Sequence, residues 1–482
     1  MASPTKRACM KTSLLKSLIS AILPLSASTL FAASVNEVLV TTMESGGQNG
    51  VGVIYSINPD GSQGSIAITF NGANGANPSG NLINAPDNRV YGTTLAGGTT
   101  DNGVLFSLNP TNNQYSVVHH FNGTDGSGPR NLFLHDNTLF GTTAAGGTHF
   151  GSESPNGMGV LYSYNIQTSE FYKLIDFDGM NGENPQSVIR GVEGSLYGLT
   201  RQGGENGFGV LYRYNPTTHM YKKLHDFDDS TGSLPTSTTL YQASNYILYG
   251  TTTWGGLYGK GVLFSFNMAH DQYTVLHNFN GAEGAFPIGT LTEANGVLYG
   301  VTEYGGNDGN GTVYSYNINT GEYTVVHTFN VYDGKRPTAG LTVGADGNLY
   351  GLTNGGGSNG KGVVYSIDPE TNTYTILTHN SSATGVNPLT PFLELAGETT
   401  TGIHEVKGSM NVYPIPSTNT INFNIANYDA ISIAISDING AKVYESAFTN
   451  QVDISKLAAG SYMVQINGAN GVQALRTRIV KQ

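Results

Sequence analysis

The side chains best suited to hold a ligand lie in loops whose sequences differ between parts of this chain. Aromatic rings stack on the C–H face of a sugar, and carboxylates or amides bind its hydroxyl groups. Trp254, the single tryptophan, is the first candidate for such a contact, and a surface ring that only packs on neighbouring loops is an equal alternative. The full candidate set consists of Arg201, Trp254, Tyr258, Glu303, Tyr304, Tyr332 and Asp333.

Two of these candidates, Glu303 and Asp333, are carboxylates that a glycoside-acting enzyme would use as a paired acid and base. The alternative is a pair of solvated loop acids, and we favour it because no His-Glu-x-x-His metal motif or similar catalytic constellation accompanies them. We therefore expect a non-catalytic module that binds a glycan or a surface partner. A glycoside-acting enzyme is the second hypothesis, and no catalytic residue is assigned.

Composition limits the available chemistry further. The only cysteine, Cys9, lies near the start, so disulfides, thiolate nucleophiles and Cys-ligated metals are not expected in the rest of the chain. Loops such as 306–309 lack the spacing of oxygen ligands that calcium needs. His225 and His277 recur at one place in the repeats, but Ile68 and Ile175 hold the same place, which indicates packing. We expect neither a metal nor a cofactor.

The charge of the chain argues against two classes of partner. The net charge is −12, and removing residues 1–33, which hold four of the 22 basic residues and no acids, leaves 18 − 34 = −16. A chain this acidic is a poor candidate for binding nucleic acid or anionic membranes.

Residues 1–33 have the pattern of a signal peptide. Lys11 and Lys16 precede an apolar run at 18–25, and small residues follow it up to Ala33. The run is too short to span roughly 30 Å of hydrocarbon. We expect a secreted or outer-surface protein without a transmembrane segment in its mature form.

A tandem repeat dominates the middle of the chain. The glycine of a Leu-Tyr-Gly-like element recurs with steps of 49, 57, 52, 50 and 51 residues, at Gly92, Gly141, Gly198, Gly250, Gly300 and Gly351. One further copy begins at Val38, so there are seven. Each copy has four short β-like stretches, which we name a to d, separated by Asn/Gly-rich turns. Four strands in each 40–50 residues are typical of propeller blades.

The two ends of the repeat array complement each other. The first copy begins with strand b and lacks strand a, whereas the segment 387–395 after the last copy resembles strand a. Pairing this segment with the strand at Val38 would remove an open sheet edge. The sequence therefore predicts an all-β fold, with a seven-bladed β-propeller over residues 36–395.

The repeats resemble a known family. The elements at 248–252, 255–256, 261–266 and 276–281 are similar to those of the choice-of-anchor tandem-repeat family called GloVer, whose repeats are kelch-like. The resemblance covers residues 38–395 and implies an exported, variously anchored protein. It supplies no catalytic residues.

The C-terminal part follows a different pattern. A polar linker is expected over residues 396–409, and alternating strands with Asn-Gly turns predict a small β-sandwich over 410–482. The segments 412–416, 437–442, 454–462 and 479–482 resemble the type A C-terminal sorting domain of type IX secretion, with Ile415 where that family usually has Asn. The resemblance implies handling by the type IX secretion machinery. An adhesive β-sandwich is the alternative.

Overall fold

The computed structural model describes residues 38–151, 154–236, 239–395, 409–413, 419–426, 430–437, 442–468 and 475–481. The signal peptide expected over 1–33 lies outside these residues, as does the expected linker over 396–409 except for Ser409. The chain divides into two compact units, Met1–Gly397 and Glu398–Gln482. Within the described ranges, all regular structure is β-strand. No helix in this part of the chain has the length and apolarity needed to cross a membrane.

The described part of the first unit contains seven antiparallel sheets, each of four or five strands. Sheet one contains β1 (Val38–Ser45), β2 (Val53–Ile57) and β3 (Ser65–Thr69). Sheet two consists of β4 (Ala76–Pro78), β5 (Ile83–Asn84), β6 (Val90–Ala96), β7 (Val104–Asn109) and β8 (Gln114–His120). Sheet three consists of β9 (Ser127–His135), β10 (Thr138–Ala145), β11 (Val160–Asn165) and β12 (Phe171–Asp176), and sheet four of β13 (Glu183–Arg190), β14 (Leu196–Gln202), β15 (Val210–Asn215) and β16 (Met220–Asp226).

The remaining sheets repeat this order. Sheet five consists of β17 (Tyr241–Gln242), β18 (Leu248–Thr252), β19 (Val262–Asn267) and β20 (Gln272–Asn278). Sheet six consists of β21 (Ala285–Ala294), β22 (Val297–Tyr304), β23 (Thr312–Asn317) and β24 (Tyr323–Thr328). Sheet seven consists of β25 (Lys335–Pro337), β26 (Thr342–Val343), β27 (Leu349–Gly355), β28 (Val363–Asp368) and β29 (Thr373–His379). Two further strands, β30 (Val386–Pro388) and β31 (Leu393–Leu395), belong to sheet one.

Strand c of each sheet contributes side chains to two neighbouring interfaces, as β15 illustrates. Val210 and Tyr212 pack in one buried cluster with Leu161 of the preceding sheet, whereas Leu211 packs in another with Phe264 of the next sheet. Successive residues of a strand point to opposite faces, so one apolar strand serves both interfaces. Aromatic rings of strand c, such as Tyr212, therefore pack between neighbouring repeats.

The end of the array pairs with its beginning. β1 is antiparallel to both β30 and β31, and Val38 lies opposite Leu395 in this register. The Thr41 hydroxyl donates a hydrogen bond to the Thr390 carbonyl at 3.0 Å. The strand that the first copy lacks is therefore supplied by the C-terminal segment of the array, as the sequence predicts.

Buried apolar clusters join the sheets in sequence. In the described part of the first unit there are seven such clusters, each shared by two neighbouring sheets. One of them contains Leu39 and Tyr55 of sheet one together with Tyr350 and Val364 of sheet seven. The first and last sheets are thus in direct side-chain contact.

The second unit has two antiparallel sheets within its described residues. Ile421 and Val452 of one sheet share a buried cluster with Ile433 and Val464 of the other. The strands are β32 (Ser409–Tyr413), β33 (Thr420–Ala426) and β36 (Gln451–Asp453) in one sheet, and β34 (Ala430–Asp437), β35 (Lys442–Ala447), β37 (Gly460–Gly468) and β38 (Leu475–Lys481) in the other.

Candidate functional site

The loops between strands b and c (bc loops) are hydrogen-bonded to the loops that lead from strand d to the next strand a (da loops). Gly256 N–H donates to the Asp229 carbonyl at 2.8 Å, and Gly306 N–H donates to the Gly281 carbonyl at 2.9 Å. Equivalent bonds recur in the other five repeats, from Gly47, Gly98, Gly147, Gly204 and Gly357. The two sets of variable loops therefore lie side by side.

Trp254 is positioned by a glycine pair. Gly255 and Gly256 follow it with φ of 75° and 76°, a backbone region that glycine adopts without penalty. A Cβ atom on Gly255 would lie 2.8 Å from the Ser233 nitrogen, so the backbone of the da loop approaches closely here. Backbone hydrogen bonds of 2.8 and 3.0 Å between Trp254 and Ser233 fix the indole at this edge.

A row of ring contacts extends from Trp254 across three repeats. The Trp254 and Phe286 ring centroids are 4.4 Å apart, and Phe286 meets Tyr304 edge-on at 5.9 Å. The guanidinium carbon of Arg336 lies 5.2 Å from the centre of the Tyr304 ring. We call Trp254, Phe286, Tyr304 and Arg336 the aromatic arc. Trp254 and Tyr304 are 48% and 38% exposed, so the arc presents ring surface to solvent.

Two members of the arc have a strained backbone. Phe286 and Arg336 have φ of 58° and 54° and each precedes a proline, where bulky residues strongly prefer extended conformations. Leu234, which also precedes a proline, has φ of 49°. Other repeats place residues that tolerate this conformation there, namely Asn77, Gly128, Asn184 and Asn387. Each bulky residue costs about 1–3 kcal/mol of strain.

Hydrogen bonds to the preceding repeat maintain these conformations. Phe286 N–H donates to the Lys260 carbonyl at 2.9 Å, and Arg336 N–H donates to the Asn310 carbonyl at 2.7 Å. Both acceptors lie in the bc loop of the repeat before. The side chains of Phe286 and Arg336 are therefore held between the bc loops of neighbouring sheets.

Glu303 is engaged with the arc. Its Oε1 atom accepts a hydrogen bond from Arg336 Nε at 2.9 Å and a second one from Arg336 Nη2. The Glu303 side chain is 17% exposed. This hydrogen bonding raises the pKa of Arg336 and holds the guanidinium over Tyr304.

Asp333 belongs to a turn. Its carboxylate accepts hydrogen bonds from Asn330 N–H at 2.8 Å and from Asn330 Nδ2 at 2.7 Å, and it lies 3.3 Å from His327 Nε2. Asp125 has the same arrangement, with Asn122 N–H at 2.8 Å. The carboxylate therefore closes a da turn, and Glu303 and Asp333 each have their own structural partners.

The remaining candidates lie around the arc. Tyr258, in the same bc loop as Trp254, is 53% exposed, and Tyr332, in the da loop before Arg336, is 82% exposed. Arg201 is the last residue but one of strand b in sheet four, and its Nε atom is buried with no hydrogen-bond partner among the described residues. Phe286 and Arg336 were absent from the sequence-based candidates.

The recurrent histidines pack between repeats. His225 stacks on Tyr273 at 3.9 Å, and His277 stacks on Tyr323 at 3.7 Å, with the paired rings nearly parallel. Burial lowers the pKa of both histidines. Within the described ranges, no three His, Cys, Asp or Glu side chains gather so as to hold a metal ion. The histidine place is a packing position, as the sequence indicates.

These features define a β-propeller-like protein of tandem repeats with an exposed loop face. The chain belongs to the Gloeobacter/Verrucomicrobia repeat family, which matches residues 27–248 and 236–415. Residues 411–482 match the secretion system C-terminal sorting domain. That domain marks the chain for type IX export, so the protein is secreted or located on the outer cell surface. No curated protein matches the chain.

Solved structures resemble the chain at low sequence identity. The periplasmic gluconolactonase PpgL of Pseudomonas aeruginosa is 16% identical with a TM-score of 0.52, covering 75% of this chain and 99% of its own. The extracellular domain of a putative hybrid two component system from B. thetaiotaomicron is 12% identical with a TM-score of 0.46, covering 92% of this chain and 55% of its own. PorZ, a surface component of the type-IX secretion system of Porphyromonas gingivalis, is 13% identical with a TM-score of 0.45, covering 90% of this chain and 63% of its own. The chain thus spans only 55% and 63% of the latter two, and these similarities concern the fold alone.

Proposed function

We propose that residues 36–395 form a closed seven-bladed β-propeller whose loop face binds a glycan or a surface partner without catalysis. Seven sheets, seven shared clusters and the pairing of Val38 with Leu395 support the closed ring. A signal peptide over 1–33, a linker over 396–409 and a sorting β-sandwich over 410–482 complete the proposed organisation. The two sheets of the second unit with a common core support the sandwich.

The aromatic arc carries the proposal for binding. Its rings form a continuous row over neighbouring repeats. Phe286 and Tyr304 lie on strands, and the backbone of Trp254 is hydrogen-bonded to Ser233. Binding sites commonly use variable loops on a rigid scaffold, and exposed rings flanked by charged groups suit sugars. Strain at Phe286 and Arg336 is a further sign, because uncommon backbone conformations cluster at functional sites.

Catalysis has less support than binding. A glycosidase needs one carboxyl group free to donate a proton and another free to act as a base or nucleophile. Glu303 is hydrogen-bonded to Arg336, and Asp333 closes its own turn. We therefore assign the face to binding and give no residue a catalytic role.

Glycan-array binding by the purified protein and by a Trp254→Ala variant tests the function. We expect the wild-type protein to bind a defined set of glycans and the variant to bind at least about tenfold more weakly, because a central aromatic anchor is removed. Tyr246→Ala is the matched control, since Tyr246 is 64% exposed in an a–b turn away from the arc. Absence of binding by all three proteins, together with turnover of a polysaccharide, would favour the enzyme hypothesis instead.

A further inference from the structure

A cavity of about 410 Å³ lies between sheets three and four, near the turns that join strand c to strand d (cd turns). It is lined by Tyr172, the second residue of β12, and by Tyr214, the last residue but one of β15. The aromatic arc lies at the end of the sheets that carries the bc and da loops, so this cavity lies at the opposite end. Its volume is within the range of about 300–1,000 Å³ that is usual for ligand sites. We call the six lining residues the cd cleft, and they are Ser163, Tyr172, Lys173, Leu174, Tyr214 and His219.

The repeat architecture does not require Tyr172. This residue lies opposite Ser163 in the register of β11 and β12 and is 56% exposed. Strand d has Lys222 at the same register position in sheet four, and serine or threonine in the other five sheets. Those five residues are Ser65, Ser116, Thr274, Thr324 and Thr375. A small polar side chain therefore suffices for the fold, and the exposed ring is particular to sheet three.

His219 is a second residue of the cleft that the fold does not require. It lies in a cd turn, four residues after the end of β15, with φ of 56°. The equivalent residues in five other repeats also have a positive φ but are smaller, namely Asn113, Ser169, Asp271, Gly321 and Asn372. The Tyr214 hydroxyl is hydrogen-bonded to His219 Nδ1 at 2.9 Å, which holds the imidazole at the cleft and leaves Nε2 for a ligand. Two unusual side chains from neighbouring sheets thus line one cavity.

The equivalent place between sheets four and five is joined by ion pairs. In place of the serine, tyrosine and histidine of the cleft, the residues there are Arg213, Lys222 and Asp271, respectively. Lys222 Nζ lies 2.5 Å from Asp271 Oδ2, and Arg213 Nη1 lies 3.9 Å from Asp271 Oδ1. The same backbone arrangement therefore carries mutually paired charges at one interface and aromatic rings around a cavity at its neighbour.

The lining of the cleft indicates the kind of ligand. The Lys173 ammonium is bonded to Asp176 Oδ2 at 2.5 Å and to the Thr124 carbonyl at 3.2 Å, and none of the six lining residues is a carboxylate. The lysine is thus already paired, and the remaining groups are aromatic rings, an aliphatic side chain and hydroxyls. Rings that stack on C–H faces, next to a few hydrogen-bonding groups, suit a neutral sugar.

We propose that the cd cleft is a second sugar-binding site, which takes one neutral sugar ring of a glycan against Tyr172 and His219. The Tyr172 ring stacks on the C–H face of the sugar, and His219 Nε2 and the Ser163 hydroxyl bind its hydroxyl groups. The cleft shares no residue with the aromatic arc, so the site is independent of the function proposed for the loop face.

Titration calorimetry of the full chain with neutral oligosaccharides tests the site. The probes are the hexaoses of β-1,4-glucose, α-1,4-glucose, β-1,4-xylose and β-1,4-N-acetylglucosamine, and a Trp254→Ala background disables the arc. We expect at least one probe to bind in that background, and Tyr172→Thr to weaken its binding at least about tenfold, because the stacking ring is lost. Thr274→Ala is the matched control, since Thr274 has the same register position in sheet five, and it should leave the affinity unchanged.

A triple variant closes the cleft with residues that the chain already uses. Ser163→Arg, Tyr172→Lys and His219→Asp together copy the ion-paired interface between sheets four and five. The triple variant should melt within a few degrees of the wild-type protein and lose binding at the cleft. If it folds and still binds the probe in the Trp254→Ala background, the proposal is wrong. Tyr172→Thr provides the same test if the triple variant does not fold, because it introduces a residue type that other repeats carry at this place.

The outcomes separate the cleft from the loop face. If Trp254→Ala abolishes all sugar binding and Tyr172→Thr changes none, the cleft is refuted and the loop-face function stands. The reverse pattern supports the cleft and refutes the loop face. Binding of N-acetyltyrosine amide that depends on Tyr172, without binding of any sugar, would refute the sugar and indicate a peptide side chain as the ligand.

Discussion

The ring of Phe286 lies 4.4 Å from the indole of Trp254, although the two residues come from consecutive repeats. The φ of 58° at Phe286 directs the chain into this contact, and the hydrogen bond from its N–H to Lys260 maintains that conformation. Backbone strain therefore occurs at a residue whose ring packs directly against the exposed indole of Trp254. At this position, where four repeats have asparagine or glycine, Phe286 keeps a bulky side chain at an energetic cost, which is expected of a residue used for binding.

Replacing Phe286 with asparagine separates stability from binding. Asparagine tolerates a positive φ, so relief of strain offsets the lost ring contact, and the free energy of unfolding should change by less than about 1 kcal/mol. Glycan affinity should fall at least about tenfold. Urea unfolding and calorimetry measure the two quantities, with Leu234→Asn as a control at the equivalent position. A large loss of stability would show that Phe286 is a packing residue.

Replacing Gly255 with alanine should destabilise the loop face. The new Cβ would lie 2.8 Å from the backbone nitrogen of Ser233, and φ of 75° adds strain, so we expect a loss of about 2–3 kcal/mol. Gly259→Ala is the matched control, because Gly259 has φ of 66° but no atom within 4 Å of an added Cβ. Its loss should be about 1 kcal/mol. Equal losses in urea unfolding would argue against the close contact at Ser233.

Stability should decrease as the pH falls from 7.5 to 5.5. Burial lowers the pKa of His225, His277 and His327 in the folded state, so the unfolded chain binds more protons once the pH falls towards the unfolded pKa of about 6.5. Protonation therefore favours unfolding. The contribution of the neutral histidines to the free energy of unfolding is fully present above that pH and decreases as the pH falls below it. His225→Ile, which copies Ile175 at the same place, should reduce the pH dependence of the melting temperature. An unchanged slope would contradict this assignment.

Sequence patterns predicted the repeat architecture more fully than the site. The missing first strand and the extra segment at 387–395 predicted the pairing that joins β1 to β31, because both follow from counting strands in each copy. Trp254 and Tyr304 stood out as unusual residues in glycine-rich loops. Phe286 did not stand out, because the direction of its side chain depends on a positive φ at the residue before a proline. A comparison with Asn77, Asn184 and Asn387 at the same place would have revealed it.

Asp333 shows why the chemistry of a side chain is harder to predict than the fold. In the sequence it looked like a free loop acid, but it closes a turn with Asn330 three residues earlier, a spacing that Asn122 and Asp125 repeat.

The closed ring can be tested by a cross-link between β1 and β31. Val40 lies opposite Leu393 in the antiparallel register, and both side chains pack in the same cluster. Opposed residues of antiparallel strands have Cα atoms about 4.5–5.5 Å apart, within the range that a disulfide spans. In a Cys9→Ser background, Val40→Cys with Leu393→Cys should form a disulfide on mild oxidation. By closing a very long loop, the disulfide should also raise the melting temperature in a manner that reductant reverses.

Val40→Cys with Leu377→Cys serves as the control, because Leu377 packs in a different cluster, and it should not cross-link. If the first pair cross-links only between molecules, the end of the array does not pair with its own beginning.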